Sequence, residues 1–310
     1  MNTNNTFSDQ LKHLYYTGGM TVKLIFINLL VFLFIGFTSV VGTLMQGDSQ
    51  FFIDVFNHKL FTLDTNLIGF LYKPWGIFTS IFAHFSFMHI LFNMLMLYFT
   101  GRAFEQLFSE KKLLYTYILG GIIGGIFEIV AHSIFPVFET YQTVIVGASG
   151  SVMAIFMAIA FYRPNLEVNL FGVFPLKIIY LALAYLVMNL LSLAKPDGTA
   201  HFAHLGGAFI GYLSVKNMNN SKNIITRFQN FIESIVQFFK KLFTKKQPKF
   251  TVQKGGSARG GFKTDEEFNY EAKQRQIQID AILDKIAKSG YESLSKAEKE
   301  FLFKQSQNGK

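Results

Sequence analysis

Long apolar runs separated by short polar breaks occupy the chain from about residue 22 to residue 216. Six such segments stand out, and a helix that crosses a membrane needs about 20 predominantly apolar residues. Their approximate ranges are 22–44, 79–100, 112–131, 149–162, 175–193 and 201–215. This pattern predicts an all-α membrane protein built around a bundle of six transmembrane helices.

The even-numbered segments carry polar side chains well inside them. At about 1.5 Å per residue, Ser149 lies roughly 21 Å from the C-terminal end of the fourth segment, and His204 roughly 18 Å from that of the sixth. In the second segment, His89 and Asn93 lie roughly 20 and 14 Å from the end. All three segments run in the same direction across the predicted bundle. We therefore expect these side chains to meet at one depth, about 10 Å below the outer surface of a hydrocarbon core about 30 Å thick.

The distribution of charge predicts an orientation. Most Lys and Arg residues near the segment ends lie on one side, whereas the other side carries Lys59, Lys73 and Lys195. By the positive-inside rule, both termini are predicted to be cytosolic. The net charge of +9 would also suit nucleic acid, but no recognised nucleic-acid motif is present, and a basic tail beside membrane spans suits an anionic leaflet. We therefore expect a lipid bilayer partner and no nucleic acid.

Each of the buried polar residues has an ordinary structural explanation as well. Ser149 would serve as a packing serine in a stripe of small residues, His204 as a partner for backbone groups, and Asn93 as a link between helices. Taken one at a time, these explanations are favoured. Because polar groups inside a membrane are costly, their coincidence at one predicted depth favours a functional site instead.

The residue types suit nucleophilic acyl transfer. A serine hydroxyl needs a neighbouring base, and histidine titrates in the right range. Ser149 at the start of a helix would have backbone N–H groups aimed at an incoming carbonyl oxygen, and Asn93 offers an amide donor one turn from His89. No carboxylate is evident at this depth to orient His204. The sequence therefore predicts a Ser149–His204 dyad rather than a triad.

Three motifs on the second, fourth and sixth segments resemble those of the rhomboid intramembrane serine proteases. They are HILFN at 89–93, GASG at 147–150 and AHLGGAFIG at 203–211, and GRAFE at 101–105 is also similar to the family pattern. The resemblance covers about residues 20–218. It implies a serine endopeptidase that hydrolyses peptide bonds in or near the transmembrane segments of other membrane proteins, without a metal or an organic cofactor. A multi-pass location in the bacterial inner membrane is implied as well.

The resemblance also implies a role for each matching residue. Ser149 is expected to be the nucleophile and His204 the general base. His89 and Asn93, with the backbone N–H of Ser149, are expected to stabilise the oxyanion. Structural support is assigned to the four motif glycines, Gly147, Gly150, Gly207 and Gly211.

Two positions depart from the family pattern. Met153 stands four residues after the serine, where many members carry an aromatic residue that can pack on the base. Gly76 follows Trp75, where many members have arginine. Trp75 and the loop at about 45–77, with its FFIDVF stretch, are expected to lie partly in the membrane interface.

Three alternatives remain open in the sequence. One is a four-histidine metal or haem site formed by His84, His89, His201 and His204. Such a site leaves Ser149 unexplained, and His84 itself is expected to face the outer interface. A non-proteolytic rhomboid-like protein that binds membrane clients would need no Ser149–His204 pair. A transporter would also use broken helices, but neither a buried carboxylate nor an inverted repeat is evident.

Composition divides the chain further. The predicted parts are a cytosolic N-terminal segment at 1–20, a rhomboid-like membrane domain at 21–218, an interfacial amphipathic helix at 222–243, a flexible linker at 244–264 and a small cytosolic helical segment at 265–310. In the last part, one helix is expected to end at Gly290, and Ser295 and Glu298 form a capping box for a second. This segment resembles the C-terminal helices of rhomboids of the Bacteroidetes type.

Overall fold

The computed structural model describes residues 6–46, 57–138, 144–170, 173–193, 199–218, 220–243 and 265–307. The chain divides into two compact units, Met1–Thr244 and Lys245–Lys310. The FFIDVF stretch at 51–56 and the predicted linker at 244–264 lie outside the described residues, as does the polar run at 139–143 before the fourth segment.

α-Helices dominate the first unit, which confirms the predicted helical class. In chain order the helices are α1 (Phe7–Thr17), α2 (Gly19–Gln46), α3 (His58–Phe61), α4 (Leu67–Tyr72), α5 (Gly76–Thr79), α6 (Phe87–Leu107), α7 (Glu110–Ile134), α8 (Ser149–Tyr162), α9 (Ile178–Ser192), α10 (His201–Val215) and α11 (Ile224–Phe243). Short 3-10 turns span Ser80–Phe82 and Pro136–Phe138. Two small antiparallel pairs join β1 (Leu63–Asp64) to β2 (Val144–Ile145) and β3 (Glu167–Leu170) to β4 (Phe174–Lys177).

Helices α2, α6, α7, α8, α9 and α10 overlap the six predicted apolar segments. Within the described part of the chain, two stretches are long and apolar enough to cross a membrane, Gly19–Met45 and Glu110–Ile134. A third candidate joins Gly76–Phe82 to α6 across a bend of 85°. Helices α8 and α9 are shorter apolar helices. The structure therefore supports a membrane protein, and the count of six crossings stays a prediction.

The second predicted segment is displaced along the chain. The expected range was 79–100, but α6 begins at Phe87 and ends at Leu107. The Ser86 hydroxyl accepts a hydrogen bond from the His89 N–H at 3.2 Å, so Ser86 is the N-cap that starts the helix. The residues before it are equally apolar, and hydropathy alone merges them with the helix. His89 therefore lies in the first turn of α6.

Helix α8 lies in the core of the first unit. All residues from Gly150 to Ala160 are buried, and the helix contacts α6, α7, α9 and α10. A helix that is apolar all round is suited to such a position. Ser149 therefore stands at the start of the most enclosed helix of the bundle.

The GRAFE stretch on α6 fixes the start of α2. The Glu105 carboxylate accepts a hydrogen bond from the Thr21 N–H at 2.8 Å, where a helix N-terminus favours negative charge. The Arg102 guanidinium donates to the Gly18 carbonyl at 3.1 Å. One motif on α6 thus ties the first long helix to the rest of the bundle.

Helices α8 and α10 approach each other through glycine. A Cβ atom at Gly211 would lie 2.6 Å from the Ala154 carbonyl oxygen and 2.7 Å from Met157 Cβ. A Cβ atom at Gly207 would overlap the Gly150 carbonyl oxygen. The two backbones are therefore too close for any larger residue at these positions.

Gly211→Ala is expected to destabilise the first unit by about 1–3 kcal/mol, because the added methyl group must displace the backbone of α8. The matched control is Gly36→Ala on α2, where a Cβ atom meets nothing within 4 Å. Thermal unfolding in detergent measures both. Equal stability of the two variants would contradict the close approach.

Helix α11 packs its first half on the bundle. Ile225 is buried, the Phe228 ring contacts the Tyr115 ring edge-on at 6.1 Å, and the Lys111 ammonium lies 3.7 Å from the Glu233 carboxylate. The exposed large apolar side chains from Phe231 onward are Phe231, Ile235, Val236, Phe238, Phe239 and Leu242. Residence of this face in the membrane interface stays a prediction.

The second unit contains α12 (Asp265–Ser289), a 3-10 turn at Tyr291–Ser293 and α13 (Lys296–Gln307). Gly290 follows α12 with a φ of 78°, as a helix-ending glycine should. The Ser295 N–H donates to the Glu298 carboxylate at 2.7 Å, and the Glu298 N–H donates to the Ser295 hydroxyl at 3.3 Å. The expected capping box is present at the start of α13.

The Ser295 N–H and then the Lys285 ammonium lower the pKa of Glu298 from its usual 4.5 to about 2. Because the pKa is lowered on folding, the stabilisation of α13 is complete above about pH 4.5 and is lost as the pH falls towards 2. Glu298→Gln is therefore expected to speed amide hydrogen exchange at the start of α13 at pH 7, and the difference from wild type should narrow as the pH falls. Glu300→Gln, on the same helix, is the control and should leave the exchange unchanged.

Candidate active site

A cavity of about 820 Å³ opens among helices α6 to α10. Its lining includes Ser149 and His204 together with His89 and Asn93. The structure therefore brings the four residues that were predicted from three separate segments to one place. Their individual roles stay predictions.

Ser149 is the first residue of α8, and the turn before it is held from two sides. The Gly147 N–H donates to the Ser80 carbonyl at 2.9 Å, and the Ala148 N–H donates to His84 Nε2 at 3.3 Å. Gly147 has a φ of 124°, and a Cβ atom there would lie 2.6 Å from the His89 ring. The first N–H groups of a helix have no partner within the helix, so the first turn of α8 presents backbone donors beside the serine.

His84 was expected to face the outer interface, and this prediction is wrong. Its side chain is buried, and its ring contacts the His89 ring edge-on at 4.9 Å. The apolar sequence around it gave no sign that the chain turns inward before α6. His84 supports the backbone that precedes Ser149.

His204 lies in the first turn of α10 and is 6% exposed. Its Nδ1 lies 2.8 Å from the Asn189 amide oxygen and 3.1 Å from the Tyr185 hydroxyl. Both partners belong to α9, and neither was singled out from the sequence. A polar residue near the C-terminal end of the fifth apolar segment was the available signal for Asn189.

His89 and Asn93 occupy one face at the start of α6. One Asn93 amide N–H donates to the His89 carbonyl at 2.9 Å. An asparagine amide has two N–H donors, so a second one remains for a ligand in the cavity. The motif glycines Gly150, Gly207 and Gly211 lie at the contact between α8 and α10, where a Cβ atom on Gly150 would come within 3.3 Å of the Ala203 carbonyl oxygen.

A buried carboxylate lies at the cavity, so the expectation that none was present is wrong. Glu128 on α7 is 5% exposed and lines the cavity. Its Oε2 accepts a hydrogen bond from the Ala203 N–H at 2.9 Å, and its Oε1 lies 3.7 Å from His132 Nδ1. Glu128 belongs to the third segment, whereas the motif residues lie on the even-numbered ones. A missing carboxylate therefore no longer disfavours a transporter.

The two departures from the family pattern have a structural setting. Met153 is buried and lines the cavity, while the aromatic ring beside His204 comes from Tyr185, with centroids 5.8 Å apart. A Cβ atom at Gly76 would overlap the Thr62 carbonyl oxygen, so a larger residue does not fit there. Trp75 is half exposed and donates from its indole N–H to the Lys59 carbonyl at 3.0 Å.

Histidines lie in two pairs near the cavity. The His201 and His204 rings contact each other edge-on at 6.2 Å, as His84 and His89 do. Within the described residues, no group of three or more His, Asp or Glu side chains is placed to hold a metal ion. The structure therefore offers no support for the four-histidine alternative.

Glu128→Leu is expected to destabilise the first unit by roughly 1–3 kcal/mol, because it leaves the buried Ala203 N–H without its acceptor. Glu128→Gln keeps an acceptor oxygen and should cost less. Glu110→Leu on the same helix is the control, since that side chain is 52% exposed. Thermal unfolding in detergent measures all three. A Glu128→Leu variant as stable as the Glu110→Leu variant would contradict the helix-anchoring role of Glu128.

The fold and the cavity together define a helical membrane protein with a serine at a helix start and a histidine on a neighbouring helix in one cavity. Residues 72–218 match the Rhomboid domain family. Residues 263–308 match a family of unknown function, DUF6576.

Similar proteins of known name carry the same family designation. RHOMBOID-like protein 12, mitochondrial, of Arabidopsis thaliana is 27% identical over 169 residues, which cover 51% of this chain and 49% of that protein. Rhomboid protease AarA of Providencia stuartii is 27% identical over 234 residues, covering 67% and 76%. Putative rhomboid protease YdcA of Bacillus subtilis (strain 168) is 29% identical over 143 residues, covering 46% and 68%. The chain thus spans about half the length of the Arabidopsis relative.

Proposed function

We propose that this protein is an intramembrane serine protease that hydrolyses peptide bonds in or near the transmembrane segments of other membrane proteins. The observation that carries the proposal is the cavity that Ser149 and His204 line together with His89 and Asn93. The match of residues 72–218 to the Rhomboid domain family and the similarity to a relative named rhomboid protease support it.

The proposed reaction is acyl transfer through Ser149. The Ser149 hydroxyl oxygen attacks the carbonyl carbon of the scissile bond while His204 takes the hydroxyl proton. The oxyanion that forms accepts hydrogen bonds from the Ser149 N–H and from the His89 and Asn93 side chains. His204 then gives its proton to the leaving amine, and a water molecule releases the acyl group by the same steps in reverse order. These residues supply every proton transfer, so the proposed reaction uses no metal or organic cofactor.

The cavity suits a substrate that is apolar around a polar backbone. Its polar residues stand beside apolar lining side chains, which include Phe92, Met96, Val152 and Phe156. The proposed placement has six membrane crossings, both termini in the cytosol and the cavity towards the outer side of a bacterial inner membrane. In that placement water reaches the site from outside, while a transmembrane substrate reaches it from the bilayer.

A non-proteolytic rhomboid-like protein that binds membrane clients is the alternative. It would share the helices and the close contact between α8 and α10. It has no need for a serine and a histidine at the same cavity, so their presence together favours the protease.

Ser149→Ala and His204→Ala are each expected to lower cleavage of a reporter transmembrane substrate by roughly a thousandfold or more, because each removes an essential group of one catalytic unit. The assay uses the purified protein in detergent, with fluorophosphonate labelling in parallel, and the serine variant should also lose the label. Ser151→Ala is the matched control, because this buried serine lies two residues further along α8.

A folded wild-type protein that neither cleaves several unrelated substrates nor takes the label would argue against the protease. Membrane proteins that co-purify with it would then support the client-binding alternative. Cleavage that persists in the Ser149→Ala variant would remove Ser149 as the nucleophile.

A further inference from the structure

One amide on α9 contacts both histidines at the start of α10. Asn189 is 5% exposed, and its Oδ1 lies 2.8 Å from His204 Nδ1 and 3.1 Å from His201 Nδ1. These are the distances of hydrogen bonds. The two rings therefore share one acceptor.

The orientation of the Asn189 amide follows from its other end. Its Nδ2 lies 2.9 Å from the Tyr185 carbonyl oxygen, one turn earlier on α9. A carbonyl oxygen only accepts hydrogen bonds, so this end must be the amide N–H₂. The reversed amide would place two oxygens against each other, and Oδ1 therefore faces the histidines.

An oxygen acceptor at this position determines where the histidine protons lie. In a neutral imidazole one nitrogen carries the proton and the other a lone pair. Because Asn189 Oδ1 accepts, His204 Nδ1 carries the proton and His204 Nε2 the lone pair. This is the tautomer that a general base needs.

We propose that Asn189 is a positioning residue that holds His204 in the tautomer and orientation that take the proton of Ser149. The proposal rests on the proposed protease function. Asn189 acts through His204 and does not touch the reacting atoms. It occupies the position relative to the base that an aspartate holds in a Ser-His-Asp triad.

Two further contacts hold this arrangement in place. The His201 N–H uses a second lone pair of the Asn189 oxygen, so both lone pairs of the amide oxygen have donors. The Tyr185 ring is tilted by 54° to the His204 ring, and its hydroxyl lies beside the same nitrogen. The base is thus oriented by two residues one turn apart on α9.

An uncharged amide is the suitable residue for this role inside a membrane. A buried carboxylate would need a paired charge or several hydrogen bonds to offset its desolvation. An asparagine provides an oxygen acceptor for the imidazole without that cost. The sequence therefore fits a dyad that is oriented by an amide.

The rival explanation is that Asn189 only joins α9 to α10. A purely structural contact would lower the stability of the protein and leave kcat of the folded fraction unchanged. A positioning role lowers kcat while KM stays nearly constant, because the substrate still binds and the base is misoriented. The conservative variant Asn189→Asp distinguishes the two explanations, since its carboxylate oxygen can accept the same histidine N–H.

The experiment compares Asn189→Ala and Asn189→Asp with wild type and with Leu191→Ala, a control on the same helix whose residue is 74% exposed. We expect Asn189→Ala to lower kcat about 10- to 100-fold, part of what general base catalysis contributes, with KM within about twofold. Per folded molecule, Asn189→Asp should recover most of the loss in kcat, although desolvation of its carboxylate lowers the stability. Leu191→Ala should match wild type in both kcat and stability. Thermal unfolding reports the folded fraction of each variant.

Two kinetic results would overturn the proposal. One is a wild-type kcat in Asn189→Ala. The other is a loss of activity in both Asn189 variants that is no larger than their loss of folded protein.

Nitrogen-15 spectra of histidine-labelled protein give a readout that does not depend on activity. They should show the Nδ1–H tautomer for His204 in wild type and a mixture in Asn189→Ala. If the wild type shows these spectra but cleaves no substrate, the proposed protease function is wrong and the Asn189–His204 hydrogen bond is still supported. If the spectra of Asn189→Ala equal those of wild type, Asn189 does not determine the tautomer of His204.

Discussion

The close contact between α8 and α10 is the constraint on which the rest of the structure depends. Gly207 and Gly211 bring α10 against the backbone of α8, and this contact joins the helix that begins at Ser149 to the helix that carries His204. Two helices with ordinary side chains at their contact lie 8–10 Å apart. Larger residues at the two glycine positions would force α10 away from α8 and move His204 away from Ser149. Steric complementarity of two backbones is therefore the condition for any joint chemistry in the cavity.

Polar groups in the bundle are tied to backbone atoms of other helices. Tyr117 donates to the Ile81 carbonyl at 3.1 Å, Glu105 binds the start of α2, and Glu128 binds the start of α10. In a membrane an unsatisfied polar group costs several kcal/mol, so each such side chain fixes the position of the backbone that it meets. Polar contacts thereby fix the starts of α2 and α10 and the backbone at Ile81, and apolar side chains pack between these points.

Hydropathy and motif spacing predicted the helices and the four residues that meet at the cavity, because both depend on position along a single helix. What they missed depends on how helices face each other. Glu128 and Asn189 lie on the third and fifth segments, outside the motifs, and their partners become visible only when the helices are packed. His84 was misplaced for a related reason. The chain turns sharply before Phe87, and an apolar sequence on both sides of the turn hides it.

The structure separates two polar functions that a triad would combine in one residue. A carboxylate binds backbone at the start of the helix that carries His204, and an amide contacts the imidazole itself. The acidic side chain thus lies at a helix N-terminus, while the group next to the His204 imidazole is a neutral amide. A charged group beside His204 would have to be desolvated at the wall of the same cavity that Ser149 lines. With the amide in this place, His204 has a neutral oxygen acceptor at Nδ1 and no charged neighbour in direct contact on α9.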